Sequence, residues 1–436
     1  MKTTSSKKAS GSGPRRTLPK STDFGDVIGV IQRAISFPSL SGQEEAVVKY
    51  LMRVASRLGF SRVGTDRMGN LIAGVEVGSG KGPVIVLTGH LDTVNADPDA
   101  WDPETRPWAG AIRDGRLFGR GAADMKSSVV AMLHAAAAMK SLPRGYDGKI
   151  FVVGTVVEEL FEGVCVLEAL RQLRPDFIVV GEATQGRINI GQRGRAEIVI
   201  TSFGQPKHAS TGRTVINAIE QIAYIIDAFH RWYRSDVDQV LGKRNIVPTD
   251  IQIPVGGGGG LNGRGGNSTV PSRVELTYDI RTLVGDTRES VLALVKDNIA
   301  RVVENGRAKY PHFKDPAVKF AADKAVTWTG VAIEQDKFAP AWKTDPDDPL
   351  VRKAVAGVKR VLKKEPELGH YSFCTDGSAI VALREKCPDS TAQIIGYGPG
   401  DEGDAHTVNE SVSLEELKGI YLGFQGICRE LLRKED

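Results

Sequence analysis

The chain has 436 residues, 41% hydrophobic and 25% charged, an ordinary soluble globular composition with room for two or three domains. Net charge is only +4, and Lys2, Lys7, Lys8, Arg15, Arg16 and Lys20 supply more than that, leaving the remainder slightly acidic. These values exclude a broad basic surface for nucleic acid, and no apolar stretch is long enough to cross a bilayer.

The first 22 residues are rich in Ser, Lys and Gly with almost nothing to bury, which predicts a disordered, solvated tail. No apolar run follows to make a secretory signal. Four segments read as strands buried on both faces, as in a parallel sheet: Pro83–Gly89, Lys149–Val157, Asp176–Gly181 and Ala392–Gly398. Helical stretches alternate with them, including the Ala-rich Asp124–Leu142 and the C-terminal Leu414–Leu432. That alternation predicts a doubly wound α/β domain. Between the third and fourth strands the pattern changes. Ala196–Gly204, Val270–Thr282 and Ala325–Gln335 alternate apolar and polar residues, with helices predicted over Thr214–Trp232 and Arg288–Glu304. This order predicts a split β-α-β (ferredoxin-like) insertion over 194–335, interrupting a larger domain made of 23–193 and 336–436. The glycine-rich Val255–Gly266 lacks the strand–turn–helix context and Lys-Ser/Thr of a phosphate loop, and reads as a connection. The cysteines (Cys165, Cys374, Cys387, Cys428) are scattered without metal-ligand spacing, and are expected as reduced thiols in a cytoplasmic protein.

Chemistry-bearing residues follow each buried strand. His90 and Asp92 follow the first, the adjacent Glu158 and Glu159 the second, Glu182 the third and His406 the fourth, while Asp124 opens the Ala-rich helix. Carboxyl ends of strands are where open α/β sheets bind ligands. Alone, Asp124 reads as a helix N-cap and a glutamate after a strand as solvated. Together, His90, Asp124, Glu159, Glu182 and His406 make a mixed nitrogen and oxygen ligand set suited to zinc, manganese or cobalt. Five ligands exceed the need of one four-coordinate ion, so two ions sharing a carboxylate fit better. Asp92, two residues from His90, suits a carboxylate that fixes a ligating imidazole. Of the glutamate pair, one side chain can bind while its neighbour handles a proton, or both can meet water; on a strand they would point apart.

The segments "GHLDTV", "GRGAADMK", "VVEE", "GEAT" and "GPGDEGDAHTVNE" together resemble the M20 family of co-catalytic metallohydrolases, from about residue 25 to the end. That family includes carboxypeptidases, acetylornithine deacetylase, succinyl-diaminopimelate desuccinylase and aminoacylases. The wording is nearest the branch called selenium-metabolism-linked hydrolases. The resemblance implies two metal ions bridged by Asp124, one held also by His90 and Glu182, the other by Glu159 and His406. It implies Glu158 as the general base acting on a metal-bridging water. It further implies that the insertion is a lid and homodimerisation domain, and that His208 in "GQPKHAS" polarises the substrate oxygen, often in the partner's site. Arg281 in "YDIRT" matches a residue that grips a substrate carboxylate, a task suited to a guanidinium fork. Asn267 is a further match, although "NSTVP" puts Ser268 where the family asparagine stands relative to the proline. Thr375 and Asp376 in "CTDGS" resemble a cleft loop. His134, His230, His312 and His370 lack such context and read as packing or surface residues, and Trp101 and Trp108 as packing or cleft-flanking ones.

The leading expectation is hydrolysis of an amide C–N bond in a small carboxylate-bearing substrate. The same water-activating site serves hydrolytic deamination of an aromatic amine such as a nitroanthranilate, and the sequence does not separate the two. A binding protein with a vestigial site is the third reading. It would be expected to lack a ligand or the base, and none is missing.

Overall fold

The computed structural model describes residues 22–233, 235–254 and 268–434. The basic tail, the glycine-rich connection and Asn267 lie outside the described residues. Four strands run parallel and adjacent at the centre of the main sheet, in the order Gly148–Thr155, Val84–His90, Phe177–Val180, Gln393–Gly396. These are the four runs the sequence marks as buried on both faces. Alternate side chains confirm it physically: Ile85 and Leu87 enter one core, and Val86, between them, enters another. Helices cover both faces, Lys126–Ala138 and Leu414–Leu432 on the first and Val166–Leu173 and Ala379–Lys386 on the second. Most flanking strands pair antiparallel, the exception being Leu368–Tyr371, which runs parallel to Ile188–Gln192.

The Lys126–Ala138 helix is buried almost all round, since alanine lets it sit between the sheet and the Leu414–Leu432 helix. The latter helix also crosses Pro349–Leu362 closely. A Cβ on either Gly357 or Gly426 would collide with the other's carbonyl oxygen.

The inserted sheet is antiparallel, in the order Asn245–Gln252, Arg273–Thr282, Gly194–Phe203, Ala317–Phe320. Arg273–Thr282 alternates half-buried and buried residues without a break, and its buried face packs with the Ala218–Trp232 and Arg288–Lys309 helices. In chain order this is the split β-α-β arrangement.

Several elements differ from the sequence expectation. The predicted Thr214–Trp232 helix is a 3₁₀ segment, Ala209–Thr214, then an α-helix capped by Asn217 at Ala218. The Arg288 helix runs on to Lys309, its start fixed by the Thr287–Ser290 capping box. Ala325–Gln335 is no single strand. It is part of a hairpin, Ala322–Val326 with Ala332–Asp336, whose turn sends the Trp328 indole N–H to the Gly69 carbonyl (3.1 Å) in the main core.

Candidate metal centre

The ligand residues converge because the four parallel strands end at one edge. His90 is the last residue of its strand and pairs across with Thr155, three residues before Glu158. Its Nε2 lies 2.7 Å from Asp124 Oδ1 and 3.6 Å from Glu182 Oε1. On the other side of Asp124, His406 Nε2 lies 3.2 Å from Asp124 Oδ2 and 2.9 Å from Glu159 Oε2. Two donor groups result, His90–Asp124–Glu182 and Asp124–Glu159–His406, with Asp124 common to both. Asp124 caps no helix: Met125 holds the cap position, and the carboxylate turns to the two imidazoles.

Glu158 and Glu159 stand beyond the strand, which ends at Thr155, in a turn entered through Val157 at φ 59°. The turn, not strand alternation, therefore sets where the two side chains stand, and both line the same cleft. Three carboxylate oxygens hold the turn. Glu44 Oε1 accepts from the Val157 amide (3.0 Å), and the two oxygens of Asp92 accept from the amides of Glu158 and Glu159 (3.1 Å each). Asp92 was expected to orient His90 by its carboxylate. Instead His90 Nδ1 meets the Asp92 backbone carbonyl at 2.8 Å, with the nearest carboxylate oxygen at 3.8 Å. The sequence reading missed Glu44, which lies far up the chain from the turn it holds.

The electrostatics call for cations. Burial opposes a charge on His90, but Asp124, Glu182 and Glu158 outweigh it and hold its pKa well above the usual value. Hydrogen bonds to Asp124 and Glu159 push His406 up to about 10. Burial and neighbouring carboxylates push Glu158 and Glu182 well up, against the opposing pull of His90. A buried cluster of four carboxylates that draws protons onto both imidazoles satisfies, with two nitrogen and three carboxylate ligands, what two divalent ions require. The donor set therefore fits two metal ions.

These groups open into a cleft of about 460 Å³ between the main domain and the inserted sheet. Arg281 and Arg195, directly paired across adjacent inserted strands, form part of its wall. Arg281 Nε is held by Asp279 (2.8 Å), and Arg195 Nη1 reaches Glu162 (2.9 Å) in the loop after the glutamate pair. Sequence reasoning found Arg281 and missed Arg195, whose place appears only once the strand register is known. Thr375 and Asp376 turn inward, Thr375 to Gln192 and Asp376 to Thr155 and the Gly163 amide. The cleft-lining part of that loop is Ser372–Cys374 instead. His208 is exposed, its ring 2.8 Å from Ser210 Oγ, and does not line the cleft. Trp101 is buried beside Arg120, and Trp108 packs near Lys126.

The model of peptidase family M20/M25/M40 matches residues 86–425. The chain belongs to peptidase family M20. As an M20 protein it is a metallohydrolase of the amide- and peptide-bond class. It is 28% identical over 405 residues to the uncharacterized protein YgeY of Escherichia coli (strain K12), spanning 90% of this chain and 91% of that one. It is 27% identical over 412 residues to a succinyl-diaminopimelate desuccinylase of Bordetella petrii, spanning 91% and 96%. Its fold matches Bacillus subtilis YXEP, described as a dinuclear metal binding peptidase from the M20 family. That match has a TM-score of 0.62 and 16% identity, over 94% of this chain and 98% of that one.

Proposed function

We propose that this M20 protein is a two-cation amidohydrolase cleaving a C–N bond in a small substrate that carries a carboxylate. The observation that carries this reading is Glu158: 5% exposed, on the cleft wall beside both donor groups, with one oxygen lacking a hydrogen-bond partner among the described residues. His90 and Glu182 would hold one ion, Glu159 and His406 the other, with Asp124 shared. Zinc suits this set best, with manganese or cobalt as alternatives. When bound, such ions supply Lewis acidity to a water and to the substrate carbonyl.

The residues supply the rest. Glu158 accepts a proton from the attacking water and keeps it until the amine departs. A C–O bond forms, the C–N bond breaks, and Glu158 returns the proton to the leaving nitrogen. Arg281, oriented by Asp279, offers a guanidinium fork to the substrate carboxylate. His208, away from its own cleft, is proposed to reach the partner's in a homodimer formed through the inserted domains. A relative named as a desuccinylase and a neighbour described as a dinuclear peptidase support two cations and an amide-type bond.

The test loads the purified full chain with Zn(II), Mn(II) or Co(II) and offers N-acyl amino acids, dipeptides and aminobenzoates. Release of amino acid, abolished by Glu158→Gln, is expected. Ammonia release from an aminobenzoate with no amide cleavage would overturn the reading.

A further inference from the structure

Arg120 of "GRGAADMK" and Glu410 of "AHTVNE" belong to the metal-site motifs and have no part in the chemistry. They are 290 residues apart and meet in the interior, 3% and 0% exposed. Pairing of the short strands Arg116–Phe118 and Ser411–Ser413 brings them there, with one motif leaving the first strand as the other enters the second. Glu410 Oε1 accepts from the backbone amides of Gly121 (3.0 Å), Ala123 (2.9 Å) and Asp124 (3.1 Å). Its Oε2 takes Arg120 Nη1 at 2.5 Å, and Arg120 Nη2 donates to the backbone carbonyl of His406 (3.2 Å). One ion pair thus grips the backbone of Asp124 with one arm and that of His406 with the other.

The two donor groups differ in what supports them. His90 ends one strand and Glu182 closely follows its parallel neighbour, so the sheet fixes their spacing. His406 sits in a loop between Gln393–Gly396 and Ser411–Ser413, at φ 60° with its side chain half exposed. Nothing in the sheet sets its distance from Asp124. Among the described residues only Arg120 Nε of this pair lacks a partner, and such a buried ion pair is an uncertain source of stability but a good source of fixed geometry.

We propose that Arg120 and Glu410 are a positioning pair that sets the affinity of the Asp124–Glu159–His406 site, touching neither ion nor substrate. This rests on the two-cation reading. Supporting partners of metal ligands are typically worth about 10–100-fold in affinity, and here that loss falls chiefly on the ion that also needs His406.

The experiment titrates Co(II) into metal-free full-length protein, following the visible absorption of each equivalent with elemental analysis at saturation. Two variants are compared with wild type. Arg120→Lys keeps the charge but cannot span Glu410 and His406 together. The double variant Arg120→Met, Glu410→Gln removes both charges and so leaves no buried ion unpaired. In both, the second equivalent should bind about 10–100-fold more weakly and lose more than the first, because Asp124 serves both donor groups and His406 only one. A merely structural pair would lower the melting temperature of the metal-free protein and leave the second affinity unchanged, which overturns the proposal. Equal weakening of both ions overturns it as well. If the double variant does not fold, Arg120→Lys decides by the same readings. Wild type that saturates below two ions would instead defeat the two-cation reading itself.

Discussion

Glu158 and Glu159 are neighbours in the chain with opposite surroundings. Glu159 Oε2 faces His406, whereas Glu158, also on the cleft wall, has a buried oxygen without a hydrogen-bond partner among the described residues. Glu159→Gln is therefore expected to lose one metal ion, a neutral amide being a poorer ligand, as read by elemental analysis. Glu158→Gln should keep its metal and lose roughly 10²–10⁴-fold in kcat with little change in KM. If Glu158→Gln sheds metal and Glu159→Gln does not, the roles are exchanged. The donor residues that converge here were legible from sequence because each follows a buried apolar run or stands just before a helix. Arg120 and Glu410 were not, because a lone buried charge carries no local pattern and shows itself only by its partner. His134 is another buried polar group without a partner, both ring nitrogens unbonded, and burial lowers its pKa to about 4. The unfolded chain's histidine takes its proton near pH 6.5, so neither state is protonated above that pH. As pH falls from 6.5 towards 4 only the unfolded state gains the proton, and stability is lost by up to about 3 kcal/mol. His134→Leu should remove that part of the acid limb. Melting curves of variant and wild type that stay parallel from pH 7 to pH 4 would contradict it.

At the scale of elements, the central strands and the C-terminal helix follow directly from hydrophobic runs and periodicity. What the sequence conceals is where a strand stops. Val156 and Val157 continue an apolar run that reads as strand, yet the chain leaves the sheet after Thr155 and enters a turn. Long-range acceptors, Glu44 and Asp92, override the β preference of valine there. The hairpin at 322–336 was misread for a related reason, since the residues of its turn alternate as well as strand residues do. The support from Asp92 is testable. Asn at this position keeps the shape but offers one acceptor oxygen where two amides need one each, so the Glu158–Glu159 turn loses a hold. Asp92→Asn should lower kcat about 10–100-fold, in the range seen for partners that orient metal ligands. Unchanged turnover, in protein of wild-type metal content, would show that the turn keeps its shape without the carboxylate.

For the whole molecule, the switch from both-faces-buried strands to alternating ones announced an insertion, and the inserted sheet forms one wall of the cleft. Its relation to a second copy came only from the family resemblance, because His208 taken alone reads as a surface histidine and is one in the single chain. If it acts on the partner's substrate, the homodimer has two-fold symmetry and each active site combines Glu158 of one protomer with His208 of the other. That arrangement makes a prediction that no single-chain site shares. Glu158→Ala and His208→Ala homodimers are each expected to be inactive. In the heterodimer, one site collects both substitutions and the other collects neither, so one of its two sites is wild type. Mixing the two proteins, with exchange shown by differently tagged subunits, should restore close to half of wild-type activity per heterodimer. The KM of the restored site should equal that of wild type, because nothing in it has changed. With His208 acting in its own chain, each site of the heterodimer keeps one defect and activity does not return. Silent heterodimers of proven composition would therefore place His208 outside the partner's chemistry, and would leave the metal centre as described.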